Sequence, residues 1–394
     1  MSRPLLELAD IFRQYGDEWR RRHQGHINRP QYKVMSAIER CRSSALGGHL
    51  LHCENCHHVE IAYNSCRNRH CPKCQASAAK RWLIARQQDL LPVEYYHAVF
   101  TLPSTIAEMA FQNQAVLYTT LFQAAAKTLT LIGRDPKHLG ARLGVTMVLH
   151  TWGSALTHHP HVHCVIPGGG LSLDGERWIS CRPGFFLPVR VLSRLFRRLY
   201  LEQLAKHYTR HDLQFHGRQS LLNEPECFNQ AVSIARQQEW VVYAKRPFAG
   251  PEAVLSYLSR YTHRIAISNS RLVAVNDQGV SFKWKDYRYQ DHYRHKVMTL
   301  SVDEFIRRFL LHVLPSGFHR IRYYGLFANA NRVESLAKAR AKIGVPLPPM
   351  TKSMEDDSPS SMGYYCPKCN SVMVVTAYFE SGYQPRAPPI LEAA

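Results

Sequence analysis

The chain has 394 residues, of which 45% are hydrophobic, and a formal net charge of +20 from 50 lysines and arginines against 30 aspartates and glutamates. This length is expected to form two or three domains. No apolar run approaches the ~20 residues that span a bilayer, so no membrane partner is expected. The basic excess favours an anionic partner, most often nucleic acid.

The N-terminal residues 1–48 are predicted to be helical, because LLELADIFRQY places its apolar side chains at helical spacing. The opening MSRPLLELADIF carries acidic residues and has no continuous apolar stretch, so no signal peptide is predicted. We therefore expect a cytoplasmic protein, and its basic charge favours association with nucleic acid.

The segment 49–92 is predicted to be a small zinc-binding module with a helix leaving it. It holds two Cys-x-x-Cys pairs separated by fourteen residues, a spacing that matches a structural Zn²⁺ site of four thiolates. Short cysteine spacings in a cytoplasmic chain indicate metal rather than disulfides. Cys66 and His70 lie between the pairs and leave the ligand set open, including a second metal ion. The predicted zinc ligands are Cys53, Cys56, Cys71 and Cys74.

Strand and helix patterns alternate along the rest of the chain. The predicted strands are 95–103, 143–152, 161–167 and 240–247, followed by a hairpin over 271–286. The predicted helices are 77–91, 104–133, 188–208, 251–263 and 302–313. Residues 346–363 have the composition of a linker. The tail beyond them holds Cys366 and Cys369, half of a zinc site that needs partners from elsewhere.

Five histidines lie between residues 150 and 163, just before a triple glycine. Side chains alternate along a strand, so His161 and His163 share one face and can hold one divalent ion from the same side. His150, near the end of the preceding strand, can supply a third ligand in an antiparallel pair. His159 ranks lower because Pro160 follows it. The glycines are expected to let a polyanion approach the backbone closely.

A metal with three protein ligands keeps positions open for oxygen ligands. There it can polarise a phosphodiester and offset the charge that develops on the leaving oxygen. We expect Mg²⁺, which prefers oxygen ligands, or Mn²⁺, which also accepts imidazole.

The stretch PEAVLSYLSRYTHR (251–264) offers a nucleophile for this metal. Tyr257 and Tyr261 are four residues apart, hence on one face of the predicted helix. Arg260 and Arg264 flank them, and guanidinium groups beside a metal favour attack of a phenol on phosphorus. Core packing is the alternative explanation for such a tyrosine pair.

Basic residues alternate with aromatic ones over 282–296 and 318–325. This composition is typical of proteins that bind single-stranded nucleic acid, because bases stack on the rings while the cations follow the phosphates. Solvated surface charge explains part of the pattern equally well. The predicted DNA contacts are Arg260, Arg264, Lys283, Lys285, Arg320 and Arg322.

The motifs HPHVHC and YLSRYTHR, behind SCRNRHCPKC, resemble those of the two-tyrosine rolling-circle transposases of the IS91 type, members of the His-hydrophobe-His endonuclease superfamily. The resemblance covers roughly residues 10 to 345. It implies an α+β fold with an antiparallel sheet and flanking helices. It also implies that His161 and His163 bind the metal on a central strand and that Tyr257 and Tyr261 are the nucleophiles on a facing helix. His150 as third ligand rests on a looser likeness to relaxases.

The resemblance implies a transposase that cleaves and rejoins single-stranded DNA at element ends and target through a 5′-phosphotyrosine, with host replication proteins as partners. A replication initiator or relaxase-type nickase would share this chemistry. A non-enzymatic zinc-dependent DNA-binding regulator would leave the histidines and tyrosines unused. The expected domains are a helical segment (1–48), the zinc module (49–92), the nuclease (93–300), a basic helical DNA-binding segment (301–345) and the linker with its tail (346–394).

Overall fold

The structure, a computed structural model, describes residues 6–245, 254, 263–286, 295–346 and 364–383. The predicted helix over 251–263 and the linker over 346–363 therefore lie almost entirely outside the described residues.

An antiparallel sheet of five strands forms the centre of the molecule, which confirms the expected α+β class. Each pair of neighbouring strands is antiparallel. With strands numbered in chain order, the spatial order is Ile321–Gly325 (β13), Gly144–Trp152 (β5), His158–Pro167 (β6), Tyr95–Thr101 (β3) and Val242–Lys245 (β9). All nine residues of β5 are buried, as expected for a strand covered on both faces.

Strand alternation divides this sheet into two faces. Val162, Cys164 and Ile166 of β6 point into the main hydrophobic core, whereas the histidines between them point to the other side. Helices cover the core face because their apolar side chains recur at helical spacing. They are Ser104–Gln112 (α4), Gln114–Arg134 (α5), Val189–Thr209 (α6) and Pro225–Gln237 (α7).

Among the described residues, α5 is the one helix long and apolar enough to cross a bilayer by length and composition alone. No apolar run of this length is expected from the sequence. In the fold, 61% of that apolar window is buried, and α5 contacts β5, β6 and α6. A core helix that packs against a sheet passes the same test, so α5 is weak evidence for a membrane span.

A second core joins the N-terminal helices to the region after residue 263. Phe12 packs edge-on against Phe309 with ring centroids 5.5 Å apart, and Trp19 is buried nearby. The predicted hairpin over 271–286 is confirmed. The elements are Leu8–Arg22 (α1), Arg29–Arg40 (α2), Leu272–Asn276 (β10), Gly279–Lys285 (β11), His295–Leu300 (β12) and Val302–Leu310 (α8).

The cysteine-rich module contains a separate four-stranded sheet and the helix Pro72–Gln87 (α3). The order of the sheet is Tyr364–Tyr365 (β14), Val372–Phe379 (β15), Gly48–Cys53 (β1) and Val59–Tyr63 (β2). The tail was expected to be a unit of its own after the linker, but its strand β15 pairs along the whole of β1. Likewise, β13 belongs to the central sheet and not to a separate segment over 301–345.

The triple glycine lies at the junction of β6 with a small three-stranded sheet. All three glycines are buried, and a Cβ on Gly170 would lie 2.3 Å from the carbonyl oxygen of Arg142. The glycines therefore allow neighbouring strands to approach, and the expectation that they face a polyanion is wrong. The remaining elements are Ala141–Arg142 (β4), Gly169–Ser172 (β7), Trp178–Ser180 (β8) and Arg332–Ile343 (α9).

Candidate active site

Three of the predicted site residues lie together on the face of the central sheet opposite the main core. His150 on β5 is the cross-strand partner of His161 on β6, and His163 follows two residues later. The ring centroids of His150 and His163 are 4.5 Å apart, and those of His161 and His163 are 4.8 Å apart. One ligand atom from each residue lies within 4.8 Å of the others, so the three imidazoles are close enough to serve one ion.

A backbone hydrogen bond decides which nitrogen of His161 carries the proton. Its Nδ1 lies 2.7 Å from the carbonyl oxygen of His159. A carbonyl oxygen only accepts hydrogen bonds, so Nδ1 donates, and the lone pair of the neutral ring is on Nε2. His159 was ranked low as a ligand, and the structure shows it acting through its backbone.

His163 has a partner that the sequence analysis did not single out. Nε2 of His97, on β3, lies 2.8 Å from Nδ1 of His163, and the two rings are nearly parallel at 9°. Both rings lie on the histidine face because β3 and β6 are paired in register. His97 lies in the mostly apolar strand YYHAVFT. The sequence of this strand does not indicate which other strand it pairs with, so the contact with His163 was not predictable.

Burial keeps the imidazoles of His161 and His163 neutral. It lowers the pKa of His161 to about 4, and the positive charge of Arg264 contributes. Burial also lowers the pKa of His163 well below its usual value, with contributions from His150, His161 and His97. Neutral imidazoles have the lone pairs that a metal requires, so the donor set fits a divalent ion at neutral pH. Three nitrogen donors suit Mn²⁺ better than Mg²⁺.

The predicted nucleophiles Tyr257 and Tyr261 and the flanking Arg260 lie outside the described residues. On one side of them, Val254 is helical, 1% exposed and clustered with Tyr95 and Val165. Val165 follows His163 by two residues, so this contact is on the histidine face.

On the other side of the tyrosines, Arg264 is close enough to lower the pKa of both His161 and His163. Its carbonyl oxygen accepts a hydrogen bond from Nη1 of Arg320 at 3.2 Å. The chain therefore approaches the histidine face at Val254 and again at Arg264.

Two of the predicted DNA contacts have other roles in the structure. Arg320 is 8% exposed and donates to Oε1 of Gln75 as well as to Arg264, and burial lowers its pKa to about 10. Arg322 lies over the Phe122 ring at 4.5 Å. Arg320 is thus a buried structural residue and Arg322 packs on the core, because β13 is a strand of the central sheet.

The other predicted contacts that the structure describes are exposed. Lys283 and Lys285 project from β11, where alternate residues share a face, and Arg264 is exposed beside the histidine cluster. These three side chains remain accessible to phosphates.

Eight of the eleven cysteines form two clusters of four, so the predicted grouping of Cys53, Cys56, Cys71 and Cys74 is wrong. Each predicted pair has partners from elsewhere in the chain, because β1 pairs with the tail while α3 begins beside the end of α2. Cys66 belongs to a cluster, whereas His70 is buried and its Nε2 is the acceptor for the Leu314 amide at 3.5 Å. The clusters are Cys41, Cys66, Cys71 and Cys74, and Cys53, Cys56, Cys366 and Cys369.

Comparison with known proteins places these sites in a family context. Residues 144–334 match a family described as "Putative transposase", and residues 11–102 match a "Transposase zinc-binding domain". The first cysteine cluster lies within the second region, which supports Zn²⁺ as its metal.

Curated relatives extend over most of the chain. The protein named "Putative transposase y4qJ" from Sinorhizobium fredii is 54% identical over 95% of this chain and 96% of its own. The transposase for insertion sequence element IS801 from Pseudomonas savastanoi pv. phaseolicola is 29% identical over 90% and 85%. Among solved structures, the conjugative relaxase TrwC in complex with oriT DNA matches 64% of this chain and 72% of its own, at 14% identity and a TM-score of 0.24.

Proposed function

Since this chain belongs to the IS91-type transposases, we propose that it transposes by rolling-circle transfer of single-stranded DNA through a 5′-phosphotyrosine intermediate. The observation that carries the proposal is the buried cluster of His150, His161 and His163 on a sheet face that the chain approaches on both sides of the two tyrosines. This supports a site at which a metal and a tyrosine nucleophile act together.

The three histidines are the residues that would hold the divalent ion, Mg²⁺ or Mn²⁺. When bound, this ion supplies positive charge to the scissile phosphate and to the leaving oxygen. The protein's contribution is to hold the rings neutral and oriented. The His159 carbonyl sets the tautomer of His161, and His97 orients the ring of His163.

Tyr257 and Tyr261 are the proposed nucleophiles. They follow Val254 by three and seven residues, the spacing at which side chains share one face of a helix. Val254 is buried against the histidine face. A helix that continues from this contact would direct both phenols toward the same face, and the second tyrosine would allow a second cleavage at the target or the other end.

Single-stranded DNA at the element ends and the target is the proposed substrate. The exposed Lys283, Lys285 and Arg264 are the proposed phosphate contacts. The covalent link to tyrosine conserves the phosphodiester bond energy, and no GxxxxGK[ST] motif occurs in the chain. Host polymerase and helicase would supply replication, and the proposed location is the bacterial nucleoid.

The proposed nuclease domain begins near residue 93 and includes β13, since that strand completes the central sheet. The zinc module is proposed as a separate unit that carries structural Zn²⁺. This proposal differs from the expected boundary at residue 300.

The position of the label on the DNA tests the proposed intermediate. The protein is incubated with single-stranded DNA and Mn²⁺ or Mg²⁺, and a denaturing gel follows. A 5′-phosphotyrosine retains the fragment downstream of the cut, so DNA labelled at its 3′ end should give a shifted covalent band, whereas DNA labelled at its 5′ end should not. A regulator gives no shifted band with either substrate, and that result would refute the proposal.

Removal of His97 is expected to weaken metal binding without unfolding the protein. His97→Asn takes away the partner of His163 Nδ1, and loss of such a partner commonly lowers metal affinity by about 10–100-fold. Cleavage should therefore require more Mn²⁺ and recover at high Mn²⁺. The matched control is His138→Asn, which changes an exposed histidine in the loop after α5. An unchanged Mn²⁺ requirement in His97→Asn would contradict the positioning role.

Replacement of Arg320 is expected to lower the free energy of unfolding, because Arg320 is a buried structural residue. Arg320→Met leaves the Gln75 amide oxygen and the Arg264 carbonyl without their buried donor, at a cost of about 2 kcal/mol. Thermal unfolding measures this loss. Lys283→Gln is the control, because it should leave the unfolding temperature unchanged and reduce the salt dependence of DNA binding by roughly one charge.

A further inference from the structure

The C-terminal segment 364–383 brings two cysteines to the zinc module from far along the chain. Cys53 and Cys369 are 316 positions apart in sequence, and Cys56 and Cys366 are 310 apart, yet each pair of sulfurs is in contact. Cys366 and Cys369 lie beyond both regions that match a family, which end at residues 102 and 334. Cys53 and Cys56 lie within the zinc-binding region 11–102, so that region contains half of this cluster and neither region contains all of it.

The two Cys-x-x-Cys turns of this cluster have the same backbone geometry. In each, the amide of the first cysteine donates to the carbonyl five residues later, at 2.9 Å and 2.8 Å. The residue four positions after that cysteine has a positive φ, 55° and 59°, and its amide donates back to the cysteine carbonyl at 2.8 Å in both turns. The residues concerned are His57 and His58 in the first turn and Asn370 and Ser371 in the second.

The sulfur positions favour a metal over disulfides. The Sγ atoms of Cys53 and Cys369 are 3.4 Å apart, as are those of Cys56 and Cys366, and all four lie within 4.8 Å of one another. A disulfide requires about 2.05 Å. Four thiolates at about 2.3 Å from a tetrahedral Zn²⁺ are roughly 3.8 Å from each other. The observed spacing is close to the edge of such a tetrahedron and resembles the 3.6 Å contacts of the first cluster.

Apolar packing around the cluster is small, with four buried residues and the partly buried Ala62, Cys369 and Val375 beside them. The buried residues there are Leu51, Cys53, Cys366 and Met373. Six residues of β1 pair with β15, and β14 adds two more pairs. Sheet units with so few buried side chains generally need a metal or a disulfide for stability.

We propose that Cys53, Cys56, Cys366 and Cys369 bind a second structural Zn²⁺ that fastens the C-terminal segment to the N-terminal module. The ion links the two turns, and its binding energy becomes folding energy for β14 and β15. It also closes a chain loop that contains the whole transposase-matching region 144–334. Without it, β15 separates from β1 and leaves an unpaired strand edge.

The test counts thiolate-bound metal in the full-length protein. Zinc is measured by mass spectrometry, and Co²⁺ substitution follows the sulfur-to-cobalt charge-transfer absorption, which histidine sites do not produce. The wild type should hold two thiolate-bound ions, and Cys366→Ser with Cys369→Ser should hold one. The control replaces Cys181 and Cys227, which belong to neither cluster, and should retain two.

A second double variant distinguishes loss of the ion from misfolding of the tail. Cys53→Ser with Cys56→Ser changes the other turn and should lose the same single ion, and both double variants should exchange the amide hydrogens of Val372–Phe379 faster than the wild type. Retention of two thiolate-bound ions in either variant, or one in the wild type, would overturn the proposal. So would thiol titration showing that these four cysteines are oxidised in the native protein. None of these measurements depends on DNA cleavage.

Discussion

Replacement of both tyrosines, Tyr257→Phe with Tyr261→Phe, is expected to abolish the covalent protein–DNA adduct. The phenol oxygen is the proposed nucleophile, and phenylalanine retains the ring while removing that oxygen. The two single variants should each still form an adduct through the remaining tyrosine but should be impaired in complete strand transfer. Denaturing gels with 3′-labelled single-stranded DNA measure the adduct, and a joining assay with a second DNA end measures transfer.

The matched control is Tyr243→Phe, a tyrosine on β9 that is 41% exposed. It should leave adduct formation unchanged, since it lies in the same domain but outside the proposed nucleophile pair. An adduct in the double variant would show that another group attacks the DNA, and the assignment of the tyrosines would fail while the histidine cluster could still bind metal.

Replacement of the paired histidines is expected to have the second-largest effect. His161→Ala with His163→Ala removes two of the three imidazoles that converge on one ion. A catalytic metal supplies several kcal/mol of transition-state stabilisation, so DNA cleavage should slow by about a thousandfold or more. Mn²⁺ binding, measured by calorimetry, should be lost from this site. Thermal unfolding of the zinc-containing protein without added Mn²⁺ separates this loss from misfolding.

His159→Ala gives a strict control for that prediction. The His159 side chain is exposed, and its ring lies 5.3 Å from that of His161 but outside the group of three whose ligand atoms converge. Its backbone carbonyl accepts the hydrogen bond from His161 Nδ1. Alanine retains this carbonyl, so Mn²⁺ binding and cleavage should remain near the wild-type level. If His159→Ala is as damaging as the double variant, the imidazole of His159 is a ligand, and the assignment of His150 as third ligand would need to be replaced.

Local patterns predicted the residues of the site better than their partners. The period of two along β6 placed His161 and His163 on one face and Val162 and Cys164 in the core, because alternation is a property of the single strand. The helical N-terminus and the hairpin over 271–286 were predicted for the same reason, since their patterns lie within a few residues. Arg320 was wrongly predicted to contact DNA. Basic residues alternate with aromatic ones around it, and this pattern is found in a β-strand as well as in a DNA-binding surface.

Partners from distant parts of the chain were not predictable in this way. His150 was predicted as a third ligand on the expectation of an antiparallel pair, and β5 and β6 do pair in this way. His97 was not predicted, because its position beside His163 depends on the register of β3 with β6, and register depends on how whole strands pack. The cysteines show the same limit. Spacing identifies each Cys-x-x-Cys turn because the turn is local, but which two turns share an ion is decided by the pairing of β1 with β15, more than 300 positions away in sequence. The grouping of the cysteines is therefore determined by long-range packing, which no short segment encodes by itself.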